Sequence, residues 1–232
     1  VRPDSRFPSQ VLVELPFPGS LDVVNRLLNV YLDEARPPAH PIFVLDTSGS
    51  MQGSRLDSLK TALIDLTGSD TSLSGQFARF RTREEVTIIL FSSRVYQTRD
   101  FTVTDTSASS PDLAAIRRYV NGLQAGGNTA IYDAVYTGYQ VAAAGAQADP
   151  HRYSSIVLMT DGENNSERGG AQFIADYRRL PPAAREVRTY AILFGEGSPA
   201  ELQQVADATG GRVFDGRSAP LSQVFKEIRG YQ

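Results

Sequence analysis

A carboxylate and two hydroxyls at alternate positions, Asp46, Ser48 and Ser50, follow the apolar run Pro41-Ile42-Phe43-Val44-Leu45. A short apolar run of this kind reads as a buried strand, so the three oxygens stand at its C-terminal end. Gly49 between the serines lets the loop turn tightly, and both side chains can then face one point. Hard oxygen donors converging in this way suit a small hard cation such as Mg²⁺ or Mn²⁺. Two further stretches share the chemistry. Thr129 follows the loop Gln124-Ala125-Gly126-Gly127-Asn128, and Asp161 follows a second apolar run over 155–160. If that later strand lies beside the first, with the sheet growing away from the pair in opposite directions, all three loops open on one crevice. Ligands bind at such a switch point in open α/β sheets. The donors there are three neutral hydroxyls and two carboxylates.

The elements that must position these residues alternate between strand and helix from Pro41 onward, which implies a mostly parallel sheet with helices on both faces. Ile42–Leu45 is the first strand. A helix follows over Arg55–Leu66, with Leu56, Leu59, Leu63 and Leu66 inward. A polar loop from Gly68 to Gly75 and a short helical piece around Phe77 and Phe80 lead to a strand at Val86–Phe91. Ser92-Ser93-Arg94 turns the chain into Val95–Val103, whose weaker alternation suits an antiparallel edge. Helices are expected from Pro111 to Leu123, from Thr129 through Ile131, Val135, Tyr139 and Ala142, over 170–180, over Pro199–Thr209 and over Leu221–Arg229. Strands are expected at Ser155–Thr160, Val187–Phe194 and Arg212–Phe214. In the last helix Leu221, Val224, Phe225 and Ile228 face inward.

Residues 1–40 differ in character. Four prolines, Pro3, Pro8, Pro16 and Pro18, surround a short alternating run at 11–15, and an amphipathic helix is expected from Ser20 to about Glu34 before Arg36-Pro37-Pro38 stops it. This stretch reads as a leader or the tail of a preceding domain, and 41–232 as the main domain. The opening Val1-Arg2-Pro3 reads as the start of a piece cut from a longer protein.

Composition removes several classes. The chain of 232 residues carries a net charge of −3, so no basic surplus exists for nucleic acid. With no Cys there is no disulfide, thiol nucleophile or cysteine zinc cluster, and the absence is neutral as to compartment. No apolar run approaches the ~20 residues of a membrane helix. Metal-assisted hydrolysis or phosphoryl transfer is the enzymatic alternative at the same crevice. Aspartyl-phosphate chemistry with Asp46 as nucleophile calls for a second carboxylate two residues on, where Ser48 stands. A serine hydrolase lacks its G-x-S-x-G elbow, and no G-x-x-x-x-G-K-[ST] loop is present for nucleotides.

Asp-Thr-Ser-Gly-Ser at 46–50, Gly-Gly-Asn-Thr at 126–129 and Thr-Asp-Gly at 160–162 together resemble the von Willebrand factor A domain family. Its metal-ion-dependent adhesion site has the pattern D-x-S-x-S, then Thr, then Asp. The resemblance covers 41–232 and extends to Tyr190-Ala-Ile-Leu-Phe-Gly195 and Ala208-Thr-Gly-Gly-Arg-Val-Phe214. It implies a Rossmann-like, doubly wound, mostly parallel six-stranded sheet of order 3-2-1-4-5-6 with one antiparallel edge strand. It also implies Ser48, Ser50 and Thr129 as direct or switchable ligands of Mg²⁺ (or Mn²⁺ or Ca²⁺), with Asp46 and Asp161 acting through waters. The implied function is a non-enzymatic, cation-dependent protein-binding module whose ion accepts an Asp or Glu carboxylate from a partner, in an extracytoplasmic setting. Binding would shift the loop of Thr129 and the C-terminal helix around Phe225. The leader, Leu15-Pro-Phe-Pro18 to Arg36-Pro-Pro38, looks like bacterial proteins that place this domain behind a solute-binding module. The domain would then be a structural one serving that neighbour.

Blander roles compete at single positions. Asp46 and Asp161 could cap turns, Thr129 could be a simple helix cap, and Glu163 and Asn164 read as solvated. Arg79, Arg81 and Arg83 with Glu84-Glu85 read as a solvated face. Tyr132, Tyr136 and Tyr139 read as helix packing. His40 and His151 sit before strands, at the end opposite the hydroxyl loop.

Overall fold

In the computed structural model the described residues are 37–195, 199–217 and 221–230. The leader expected over 1–36, including its helix, lies outside them. Six strands form one sheet: β1 (Ala39–Asp46), β2 (Glu85–Phe91), β3 (Val95–Thr102), β4 (Tyr153–Thr160), β5 (Thr189–Leu193) and β6 (Arg212–Asp215). Their order is β3-β2-β1-β4-β5-β6, parallel throughout except for the β2–β3 hairpin. The helices are α1 (Ser54–Ile64), α2 (Leu73–Ala78), α3 (Pro111–Asn121), α4 (Ile131–Ala148), α5 (Gly170–Tyr177), α6 (Pro182–Arg185), α7 (Ala200–Thr209) and α8 (Leu221–Gly230).

Strand alternation divides the core between the two faces. Phe43, Leu45, Ile88, Leu90, Val157, Met159, Tyr190 and Ile192 pack on one side with residues of α1, α2, α3 and α8. Ile42, Val44, Ile89, Phe91, Ile156, Leu158, Ala191 and Leu193 pack on the other with α4, α5 and α7. Every second residue changes face because the pleat has a period of two. Near-continuous apolar strands are what a sheet covered on both sides requires. The edge strands are the exceptions: β3 is exposed along most of its length, and in β6 only Phe214 is buried.

The differences from the sequence reading have local causes. Strand β1 begins at Ala39, not Ile42, because Ala39, His40 and Pro41 already pair with Tyr153, Ser154 and Ser155. Gly75 lies within α2 instead of the loop, since the Ser72 hydroxyl caps the backbone N–H of Gly75 at 3.1 Å. Helix α4 starts at Ile131, two residues after Thr129. Helix α5 ends at Tyr177, and the turn at α6 separates it from β5. Val224, Phe225 and Ile228 are buried as expected, with Phe225 edge-on to Phe43 at 6.2 Å between ring centroids.

The solvated face expected around Arg81 and Glu84 is wrong. Arg81, Glu84 and Arg229 are 4%, 3% and 5% exposed. The guanidinium of Arg229 on α8 makes a two-pronged pair with Glu84, Nη1 to Oε1 at 2.7 Å and Nη2 to Oε2 at 2.9 Å, and lies over the Phe80 ring. Glu84 also accepts from the Arg81 backbone N–H at 3.1 Å. Alternating charge on a sequence cannot show that a distant helix lies over it. Glu84→Gln leaves Arg229 buried opposite a neutral group. Urea denaturation should then show a stability loss of about 3 kcal/mol.

His40 lies inside β1, at the end away from Asp46, and its Nε2 is 2.9 Å from the Thr87 hydroxyl. Thr87 gives its own proton to Asp100 at 2.6 Å, so Nε2 must be the donor and Nδ1 the bare nitrogen. Nδ1 is buried without a hydrogen-bond partner, so a proton there would find no acceptor. Burial lowers the imidazole from its ordinary value of 6.5, helped by Arg152 and opposed by Glu85 and Asp100. The unfolded chain therefore takes up a proton below about 6.5 that the folded chain refuses. Unfolding free energy measured by denaturant titration should fall as pH drops from that point toward the lowered folded value, and His40→Gln should flatten this part of the profile.

Candidate metal centre

Asp46 ends β1 and Asp161 follows β4, its parallel neighbour, at the point where the strand order reverses. The expected switch point is therefore present. Asp46 is fully buried. One carboxylate oxygen accepts from the Ser48 backbone N–H at 2.7 Å, and the other accepts a short hydrogen bond from the Thr160 hydroxyl. Burial pushes its carboxyl up to about 6, against the lowering effect of the Thr160 and Ser48 bonds, with the Asp161 charge pushing the same way as burial. The Ser48 and Ser50 hydroxyls are 3.1 Å apart, and Ser50 Oγ donates to Asp161 Oδ1 at 2.9 Å. Asp46, Ser48, Ser50 and Asp161 thus form one cluster.

The Thr129 hydroxyl makes no hydrogen bond to that cluster among the described residues; it is the loops on either side of it that are joined through backbone bonds. Gly49 N–H donates to the Gly127 carbonyl at 2.9 Å, Gly126 N–H to the Thr47 carbonyl at 2.8 Å, and Asn165 N–H to the Thr129 carbonyl at 2.7 Å. The three loops are stitched edge to edge. Gly127 holds φ +87°, where an added Cβ would meet the Ser93 hydroxyl at 2.9 Å. That position needs glycine on both conformational and steric grounds. A Cβ on Gly195 would meet the Asp161 carbonyl oxygen at 2.4 Å, so the segment that follows β5 passes directly against the Asp161 backbone.

Thr129 does not cap α4. Asn164 does: its Oδ1 accepts from the Ile131 N–H at 3.0 Å, while its amide donates to the carbonyls of Ser166 and Arg168. Asn164 is therefore a knot between loops, not the solvated residue that its neighbours suggested; Glu163 is exposed. Tyr132 and Tyr139 are buried as helix packing, and Tyr136 lies against the Arg168 guanidinium.

Three participants were not found from sequence. Thr160 carries a faint signal, a hydroxyl inside an apolar run. Thr47 donates to the Phe91 carbonyl at 2.8 Å and lies 2.9 Å from the Tyr96 hydroxyl. Arg55, on the first turn of α1, places Nη1 2.5 Å from Asp161 Oδ2 and 3.0 Å from the Ser50 carbonyl; nothing in its spacing announces this.

The donor set fits a small divalent cation. In an octahedron with metal–oxygen distances of about 2.1 Å, adjacent ligand oxygens are about 3.0 Å apart. The Ser48–Ser50 and Ser50–Asp161 separations match that. A buried carboxylate held up to about 6 also gains from a nearby positive ion. Among the described residues no group of three or more His, Cys, Asp or Glu could hold a metal, so the hydroxyls are indispensable to such a site.

A six-stranded sheet wound in this order, with hydroxyl-rich loops at its reversal point, defines a protein class. The von Willebrand factor type A domain model matches residues 42–227, and the chain belongs to that family. It is similar to human inter-alpha-trypsin inhibitor heavy chain H4, 32% identical over 54% of this chain and 12% of that protein. An uncharacterized protein of Synechocystis is 31% identical over 56% of this chain and 27% of its own length. The chain thus spans well under two thirds of either relative. Among solved structures, a von Willebrand factor type A protein from Catenulispora acidiphila aligns with TM-score 0.60 at 20% identity, over 83% of this chain and 42% of that one. Proximal thread matrix protein 1 of the mussel byssus, solved with zinc in its MIDAS motif, aligns with TM-score 0.57 at 21% identity, over 83% and 47%. The Streptococcus sanguinis minor pilin PilB aligns with TM-score 0.58 at 15% identity, over 85% and 62%. At these identities the structures share the fold.

Proposed function

We propose that residues 41–232 form a cation-dependent protein-binding module, in which Ser48, Ser50 and Thr129 hold Mg²⁺ with Asp46 and Asp161 behind them. The observation that carries this reading is the continuous chain of bonds from Thr160 through Asp46, Ser48 and Ser50 to Asp161. Three neutral hydroxyls around the ion leave it much of its positive charge, and an open coordination position then favours a carboxylate from a protein partner. Zinc in the MIDAS motif of the mussel protein supports a metal at this place in the fold.

Binding fits the geometry better than catalysis does. Both oxygens of Asp46 are engaged and the residue is fully buried, which leaves no free nucleophile. His40 is at the other end of β1. The pilin and byssal neighbours favour an extracytoplasmic setting, and no helix among the described residues is long and apolar enough to cross a membrane. Residues 1–40 would join this module to a preceding one, of the solute-binding kind in a bacterial fusion.

Arg55 bears on the strength of such a site. Its guanidinium already neutralises Asp161 and would repel an arriving cation. Calorimetric titration with Mg²⁺ and Mn²⁺ should show Asp46→Asn weakening affinity about 10- to 100-fold, the usual effect of losing a supporting carboxylate. Unchanged affinity would sink the proposal. In the same titration Arg55→Gln should bind the cation several-fold more tightly than the parent chain, with a lower melting temperature before metal is added.

A further inference from the structure

Beside the candidate metal centre, between the exposed face of β3 and the C-terminal half of α3, lies a cavity of about 510 Å³. Tyr96, Gln97, Arg99, Arg118, Tyr119 and Gln124 supply its polar lining. A volume of this order is that of a ligand pocket. In a chain of net charge −3, two guanidiniums here have no carboxylate partner among the described residues. The Arg99 guanidinium lies over the Phe101 and Tyr119 rings, at 5.2 and 5.1 Å from their centroids. Tyr119 keeps its hydroxyl buried with no hydrogen-bond partner, and Tyr96 is 48% exposed, the one large hydrophobic side chain so placed among the described residues.

The cavity is continuous with the hydroxyl loop. The Tyr96 hydroxyl is 2.9 Å from that of Thr47, the residue between Asp46 and Ser48. Gln124 begins the loop that carries Gly126 and Thr129. Asp46 is in register with Phe91 and Phe91 with Val95, so Val95 lies two strand spacings, about 10 Å, from Asp46. Arg99 is four residues further along β3, about 13 Å. The Arg99 backbone therefore stands roughly 16 Å from that of Asp46, a distance that about five extended residues span.

We propose that this cavity is a second subsite for the partner and takes a carboxylate of an acidic peptide about five residues from the one on the cation. The proposal rests on the cation-dependent reading above and names its ligand class: a segment with two spaced acids, not a single exposed one. Arg118, exposed at the rim, makes first contact with the second acid. Arg99, exposed like Arg118 but held over its two rings, presents a planar fork that grips the carboxylate with charge-assisted bonds.

The test uses the full chain and two synthetic peptides, one with two glutamates about five residues apart on a Gly-Ser spacer and one with the second glutamate replaced by glutamine. Fluorescence anisotropy is measured in Mg²⁺ and in EDTA, for the parent chain, Arg118→Gln and Arg99→Lys, each checked by its melting curve. The two-acid peptide should bind about three- to tenfold more tightly than its partner in Mg²⁺. Arg118→Gln should erase most of that difference while leaving the one-acid peptide unaffected, and Arg99→Lys, which keeps charge but loses the fork, should reduce it. Magnesium-dependent binding with equal affinity for both peptides overturns the subsite and leaves the cation reading standing. A two-acid preference that persists in EDTA and vanishes in Arg118→Gln upholds the subsite and overturns the cation's part in it. Loss of both effects overturns both.

Discussion

The structure depends on keeping the carboxylates of Asp46 and Asp161 nearly free of water at the ends of two adjacent parallel strands. A dehydrated carboxylate is costly unless every lone pair is met, and the surrounding chain is arranged to meet them. Thr160, on the neighbouring strand, and the Ser48 backbone serve Asp46. Ser50 and Arg55 serve Asp161. These donors come from β4 itself, from the loop after β1, and, for Arg55, from the first turn of α1. The Thr160–Asp46 and Ser50–Asp161 bonds join the ends of β1 and β4 and need the observed pairing, so the centre is both a product of the central strand pairing and a lock on it.

The opposite end of the sheet solves a similar problem with other partners. His40, Thr87 and Asp100 form a relay across β1, β2 and β3, and Glu84 with Arg229 ties the start of β2 to α8. These buried polar groups do different work from those near Asp46. They satisfy one another within the protein, and the remaining mismatch, the bare His40 nitrogen, is small. At the Asp46 end carboxylate and hydroxyl oxygens converge within hydrogen-bond distance of one another, an arrangement that fits a cation. α8 packs beside Phe43 and Phe80 as well as on Glu84. Any displacement of this helix must therefore break a paired buried charge as well as slide an apolar face.

Much of this arrangement was legible in the residues. The apolar runs from Ile42, Val86 and Ser155 became strands because each must be buried on both faces, and the weaker pattern after Arg94 marked the edge. The spacing of Asp46, Ser48 and Ser50 identified the loop. Boundaries slipped where pairing partners decided them, as at Ala39, or where a cap came from elsewhere, as with Asn164 in place of Thr129. Charged residues were misread where burial depends on a distant element: Glu84 looks solvated until α8, some 145 positions later, covers it.

What the sequence determined by itself was therefore local and periodic: which stretches are strand or helix, which face of each is apolar, and which oxygens follow the strands. These follow from side-chain size, branching and the two backbone periods, properties that each segment carries alone. Tertiary structure decided which oxygens meet, that Arg55 sits against Asp161, that Arg99 and Arg118 line one cavity beside the loop, and which charges go underground. Those outcomes are set by through-space distances between segments far apart in the chain, and electrostatic and hydrogen-bond energies depend on distance and burial, not on order along the chain.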